Sequence, residues 1–266
     1  MILSGNVFSK SLEMNTGISV IIPNNFKKEG QYKIACLLHG ICGTHSDWIE
    51  YTMLPLYANE YDVIFVAPEA ARSFYTDMKF GFKYYTYVSE ELPEICRSIF
   101  NISSKREDTA IIGVSMGGFG ALKCALSKPE QYGMCSAIAP ANLFMREFLA
   151  EHGVEESLAV LKQSFGEQLA VDFLAAWGAG LECAPVDDLP ELARLTAKKG
   201  AFAKMYLACG FADGFYQSCK RFSNELSGMD YYHKFEAWEG AHEWFFFNEA
   251  LRRSLQFFFG NAPVSA

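Results

Sequence analysis

Short runs of consecutive apolar residues alternate along the chain with longer stretches in which apolar positions recur every three or four residues. Runs of the first kind suit strands covered on both faces, and stretches of the second suit amphipathic helices. Their alternation predicts β-α units around a mostly parallel sheet. Buried strands are expected at 34–38, 63–67, 109–114, 134–139 and 205–209, and a later strand of alternating pattern at 231–238. Two earlier segments, 2–8 and 18–22, precede the first helix and suit an antiparallel edge. Tyr85, Val88, Leu92, Ile95 and Ile99 mark one helix face, and Pro93 within it predicts a kink or a pair of shorter helices.

The segment 141–200 breaks the alternation, because it carries several helical patterns and no convincing strand where one connecting helix would do. It reads as a helical cap inserted between two strands and is expected to cover a pocket. At 266 residues the chain is near the upper end of what one core supports, so a single domain over 1–266 with this insertion is expected. The tail 261–266 is expected to fray.

Half of the residues are hydrophobic and 15% are aromatic, enough to bury a large core and line an apolar pocket, which sets disorder aside. The net charge of −8, with no Lys/Arg cluster to offset it, would repel phosphate backbones and anionic lipid, so neither nucleic acid nor a membrane is an expected partner. Several of the eight cysteines fall inside apolar runs and no pair has C-x-x-C spacing. That favours buried free thiols in a cytoplasmic protein over a disulfide set or a cysteine metal site. No run of about 18 uncharged apolar residues occurs and no leader pattern opens the chain, so secretion and membrane insertion are not expected.

Gly113-Val114-Ser115-Met116-Gly117 fits G-x-S-x-G directly after strand 109–114 and before a helical pattern. A serine on such a turn is held with its hydroxyl exposed, and the flanking glycines relieve clashes with neighbouring chain. A bystander serine in a glycine-rich turn would not require strand, turn and helix to coincide, so Ser115 is the expected nucleophile. Its hydroxyl needs a base, and the chain offers five histidines. His152 falls in the insertion and His233 in a strand, where structural or surface roles are simpler. His242 follows strand 231–238 through the turn 239–241, which places it at the carboxyl edge of the sheet where ligands bind.

The acid that orients this base should lie between Ser115 and His242. Asp213 does so, just past strand 205–209, and could double as a helix N-cap; Asp172, Asp187 and Asp188 fall in the insertion and Asp230 at the opposite sheet edge. After strand 34–38 comes His39-Gly40-Ile41-Cys42-Gly43, where the backbone N–H of Ile41, together with that of Met116, is expected to form an oxyanion hole. His39 is expected to hold this loop, and Cys42 to be a neighbour only.

Several stretches together resemble the tributyrin esterase and esterase D (S-formylglutathione hydrolase) group of α/β-hydrolases, relatives of the carbohydrate and feruloyl esterases. They are the His39-Gly40 turn with Trp48 soon after, Phe74-Tyr75-Thr76-Asp77, the run 84–93, the elbow GVSMGGFGAL, and Gly240-Ala241-His242-Glu243-Trp244. The resemblance implies an α/β-hydrolase fold and cofactor-free hydrolysis of short-chain acyl esters by Ser115, Asp213 and His242. Val114 and Gly43 depart from the esterase D pattern and favour the tributyrin esterase branch.

The expected function is thus that of a serine carboxylesterase acting on a small acyl ester, including acetyl or feruloyl sugar esters, with no metal and no cofactor. An acyl-thioester hydrolase is the alternative, and a non-catalytic scaffold on the same fold would be expected to have lost a triad residue or an elbow glycine. Trp48, Tyr75 and Trp244 are expected to contact substrate. With Phe74 and Phe119 they make five bulky rings near the elbow, the oxyanion loop or His242, of which two or three are expected to be core. The sequence leaves homo-oligomerisation open.

Overall fold

The computed structural model describes residues 1–27 and 31–260, so the tail 261–266 lies outside the described residues. The strands are β1 (Ile2–Ser9), β2 (Met14–Ile21), β3 (Lys33–Leu38), β4 (Val63–Pro68), β5 (Thr109–Val114), β6 (Met134–Ile138), β7 (Lys204–Gly210) and β8 (His233–Trp238). They form one sheet in the order β1-β2-β4-β3-β5-β6-β7-β8. β2 runs antiparallel to both its neighbours, and all the pairings from β4 through β8 are parallel.

The helices in the first half are α1 (Asp47–Glu50), α2 (Leu54–Tyr61), α3 (Tyr84–Thr86), α4 (Leu92–Ile99) and α5 (Met116–Ser127). In the second half they are α6 (Met145–Phe165), α7 (Glu167–Trp177), α8 (Leu189–Lys199), α9 (Tyr216–Gly228) and α10 (Trp244–Phe259). The central strands β4, β5 and β6 are buried almost throughout, as their unbroken apolar runs require.

The antiparallel edge differs from its expected bounds. β1 and β2 form a hairpin in register from Ile2 opposite Ile21 to Ser9 opposite Met14. β2 therefore starts well before residue 18 and ends before Ile22, whose N–H donates to the Met1 carbonyl at 2.9 Å. β1 is exposed along most of its length, and the inward positions where β2 begins are Met14 and the polar Thr16, followed by Gly17, so no continuous apolar period marks that end.

Pro93 acts as its chemistry demands. α3 runs through a π-helical turn, Tyr87–Glu91, into α4, with Pro93 in the first turn of α4. Pro93 has no N–H to offer the Ser89 carbonyl four residues back, and that carbonyl accepts instead from Gln131 Nε2 at 3.1 Å.

The segment 141–200 is helical, with α6, α7, a 3₁₀ turn Pro185–Asp187, and α8. α8 is the ordinary crossover helix between β6 and β7: it lies against α5, where Thr196 Oγ1 donates to the Leu126 carbonyl at 2.9 Å. Only α6 and α7 are additions. A buried ion pair ties this region to α5, with Lys123 Nζ 2.5 Å from Asp187 Oδ1 while Trp177 Nε1 donates to Asp187 Oδ2 at 2.9 Å. The ammonium also lies 4.8 Å from the centre of the Tyr85 ring.

Candidate active site

β5 delivers Ser115 and α5 begins immediately after it. Ser115 has φ 55° and ψ −118°, a left-handed backbone that serine adopts only under constraint. The constraint is visible on both sides. Its N–H donates to the Ile138 carbonyl at 2.9 Å, and its carbonyl accepts from Ala141 N–H and Phe119 N–H, both at 3.1 Å. A side chain at Gly113 would collide with the Gly117 carbonyl, and one at Gly117 would collide with the Leu38 carbonyl, so the elbow closes only with glycine at both places.

Asp213 follows β7 and His242 follows β8. The two turns are knitted together, with Phe211 N–H donating to the Trp238 carbonyl and Ala212 N–H to the Gly240 carbonyl, each at 3.0 Å. His242 Nδ1 donates to Asp213 Oδ2 at 2.7 Å, which leaves the Nε2 lone pair free to take a proton. Asp213 is 5% exposed, and its Oδ1 accepts from Phe215 N–H at 2.9 Å, so it also pins the turn that leads into α9. The imidazole sits edge-on between Phe215 and Phe247, at centroid distances of 5.4 and 5.0 Å.

The loop after β3 runs close to the nucleophile, since a Cβ placed on Gly40 would lie 3.6 Å from Ser115 Cβ. The Gly40 carbonyl accepts from His39 Nδ1 at 2.7 Å and from Gly43 N–H at 3.0 Å. Because a trans peptide is planar, fixing that carbonyl directs the Ile41 N–H to the opposite side. His39 is held in turn: its Nε2 accepts from Ala70 N–H at 3.0 Å and therefore carries no proton, so the approach of Glu69 Oε1 to 3.4 Å is not an ion pair. Arg72 Nη1 donates to the Ile41 carbonyl at 3.3 Å, while Nε and Nη2 of the same guanidinium hold Asp172 of α7 at 2.8 and 2.6 Å. The second expected donor, Met116 N–H, is in the first turn of α5, where a helix leaves its N–H groups unpaired and carries partial positive charge.

Ser115, His242 and Ile41 line one open cleft of about 450 Å³. Of the five rings singled out in the sequence, only Trp244 reaches it. Trp48 and Tyr75 are both 0% exposed and do not line it, and Phe74 and Phe119 are buried as well. Trp48 packs edge-on beneath Trp244 at 5.4 Å, as support. Phe74 and Tyr75 have φ of 50° and 51°, and the Tyr75 hydroxyl donates to the His39 carbonyl at 3.0 Å; burial raises the phenol well above its ordinary value, so it stays a donor. None of the lining residues comes from 141–200, so the expected cover over the pocket is not part of this cleft's wall.

The sequence reading missed Asp47, Tyr51, Glu243 and Phe247, which also line the cleft. Phe247 had a readable signal, standing three residues after Trp244 on one helix face. Asp47 and Tyr51 had none, because their placement depends on how the short helix α1 packs beside α10. Among the described residues no group of three His, Cys, Asp or Glu side chains could hold a metal ion, and no helix is long and apolar enough to cross a membrane.

A mostly parallel eight-stranded sheet, with a strained serine elbow at its carboxyl edge and a histidine-carboxylate pair on the loops after β7 and β8, defines an α/β-hydrolase. Within that class the chain belongs to the esterase family described as "Putative esterase", which matches residues 9–258, and it is a carboxylic ester hydrolase. It is 28% identical to the acetyl esterase of Caldicellulosiruptor saccharolyticus over 264 residues, covering 96% of this chain and 97% of the relative. It is 27% identical to the S-formylglutathione hydrolase of Bos taurus over 155 residues, covering 50% and 54%. Its fold superposes on FphF, a fluorophosphonate-binding serine hydrolase of Staphylococcus aureus, with a TM-score of 0.80 at 24% identity over 97% of this chain and 98% of that one.

Proposed function

We propose that this esterase is a cytoplasmic serine carboxylesterase that transfers short acyl groups, acetyl first among them, from an ester to Ser115 and then to water. Three loops at one sheet edge support it above all. They bring Ser115 and His242 to the same cleft, with Asp213 behind the imidazole at 2.7 Å. In this mechanism His242 Nε2 takes the Ser115 proton as Oγ attacks the ester carbonyl, then gives it to the departing alcohol. Asp213 holds the tautomer and stabilises the imidazolium. The N–H groups of Ile41 and Met116 hold the oxyanion, one aimed by the Gly40 carbonyl and the other by the start of α5.

The likeness to an acetyl esterase along nearly the whole chain supports a small acyl group, and sugar acetates or feruloyl esters are the natural first substrates to try. All eight cysteines are free thiols, which suits a reducing compartment. The test is hydrolysis of acetyl esters by the purified protein and its Ser115→Ala variant; equal turnover by the two would end this reading. The likeness to an S-formylglutathione hydrolase supports a second reading, thioester hydrolysis through the same acyl-serine. Rates on matched oxygen and sulfur esters separate the two.

A further inference from the structure

Resting on the reading of Ser115 as nucleophile, we propose that the leaving-group side of the cleft is a charge filter, which accepts neutral or cationic alcohols and rejects anionic ones. As general acid, His242 must hand its proton to the leaving oxygen, so the leaving group lies against His242 and the residues that follow it. Those residues are Glu243 and Trp244, both on the cleft wall, and Trp244 stacks on Tyr51 with ring centroids 5.2 Å apart and planes 26° apart. The result is an aromatic face at the exit of the site, with the exposed Glu243 carboxylate beside it.

Asp47 contributes a second carboxylate to the wall. Its Oδ1 accepts from Thr44 N–H at 3.0 Å and Thr44 Oγ1 at 3.2 Å, which fixes the side chain. Its Oδ2 rests on the Cα of Gly43, in the space any side chain there would fill. The carboxylate therefore stands directly on the oxyanion loop because residue 43 is glycine.

No lysine or arginine is among the described residues that line this cleft. The Arg72 guanidinium approaches Cys42 Sγ to 3.7 Å, but its charge is matched by Asp172. Two carboxylates, an electron-rich ring pair and no cation leave nothing to receive a carboxylate or phosphate on the alcohol, and they attract a quaternary ammonium. A glutathione thioester, whose leaving thiol carries two carboxylates and one ammonium, is a poor fit on the same grounds.

The experiment compares kcat/KM for three phenyl acetates with a meta substituent: trimethylammonio, its neutral isostere tert-butyl, and carboxylate. Each rate is divided by that for hydroxide, which removes intrinsic reactivity. The expected order is cation, then neutral, then anion, with a cation-to-anion ratio of roughly tenfold per carboxylate at low ionic strength. This ratio should shrink in about 0.5 M salt. In Asp47→Asn and Glu243→Gln, each of which removes a charge and keeps the shape, it should fall stepwise toward one. An anionic ester cleaved as fast as the cation, or a ratio unmoved in the double variant, overturns the filter even while the neutral ester is hydrolysed. A neutral ester that is not turned over in a Ser115-dependent way overturns the parent reading, and this one with it.

Discussion

Asp213 divides its two carboxylate oxygens between His242 Nδ1, at 2.7 Å, and the Phe215 N–H, at 2.9 Å. In Asp213→Asn the amide oxygen can still serve Phe215, but its NH₂ then faces the imidazole. His242 Nδ1 must then become an acceptor, and the proton moves to Nε2, the atom that should take the serine proton. The variant should keep its fold and melting temperature while kcat falls about 10³- to 10⁴-fold. Wild-type turnover in a folded Asp213→Asn would remove Asp213 from the mechanism.

Ser115→Ala should lower kcat by several orders of magnitude and leave a small residual rate from the oxyanion donors. Combined with His242→Ala it should cost little more, because the residues act as a unit. A fluorophosphonate should label the wild-type protein once, and peptide mapping should find the adduct on Ser115. An adduct on another serine would refute the assignment.

A preference for short acyl chains is expected, and the cleft wall narrows its range. Apart from the Trp244 face assigned to the leaving group, the wall offers apolar surface from Ile41, Val114 and Phe247 and nothing from the helical insertion. Methylenes that touch this surface gain up to about 0.8 kcal/mol each, and those beyond it gain nothing. Across p-nitrophenyl esters kcat/KM should therefore stop rising at about four to six carbons. A continued rise to twelve carbons would show that a longer channel opens.

Glu91, at the end of the π-helical turn, accepts from Ser9 Oγ, Lys10 N–H and Ser11 N–H and so closes the β1-β2 hairpin. Its partial burial would raise the carboxyl, but these three donors outweigh that and hold it below its ordinary value. A carboxyl lowered by folding stabilises the protein fully above its unfolded value of about 4.3, and this contribution fades as the pH falls through the lower, folded value. Glu91→Gln should therefore lower the melting temperature at pH 7, and the gap to wild type should close on acidification below about pH 4. A gap that widens in acid would contradict the assignment.

The Lys123–Asp187 pair is buried at both ends, with side chains 1% and 3% exposed. Asp187→Ala would leave a buried ammonium and the Trp177 N–H unpaired, at a cost of about 3–5 kcal/mol. Replacing both by Met and Leu should cost much less, because no charge is then stranded. Urea midpoints of the single and double variants test this, and equal losses would refute it.

The sequence made legible what depends on neighbours along the chain. Each central strand announced itself as an apolar run, and the serine elbow, Asp213 and His242 could each be placed at a strand end. What it hid depends on packing between distant segments. Trp48 and Tyr75 are close to the site in sequence terms but face the core, Tyr75 because two successive left-handed residues accompany an inward ring bonded to the His39 carbonyl. The hairpin strand β2 is longer than its apolar pattern, because the buried position among its first four residues is the polar Thr16, which prints no apolar period. α8 could not be told from the insertion before it, since an amphipathic helix looks the same whether it flanks a sheet or covers a pocket.

The left-handed backbone at Ser115 sets the chain's two demands on that position against each other. For folding alone glycine would be preferred there, since serine is held in a conformation that costs on the order of 1 kcal/mol or more. A lineage selected for heat tolerance with no need for turnover would be expected to drift to glycine at this site and become more stable as it lost its chemistry. Serine rather than glycine at 115 is therefore what the proposed nucleophile role requires and what folding alone would not select.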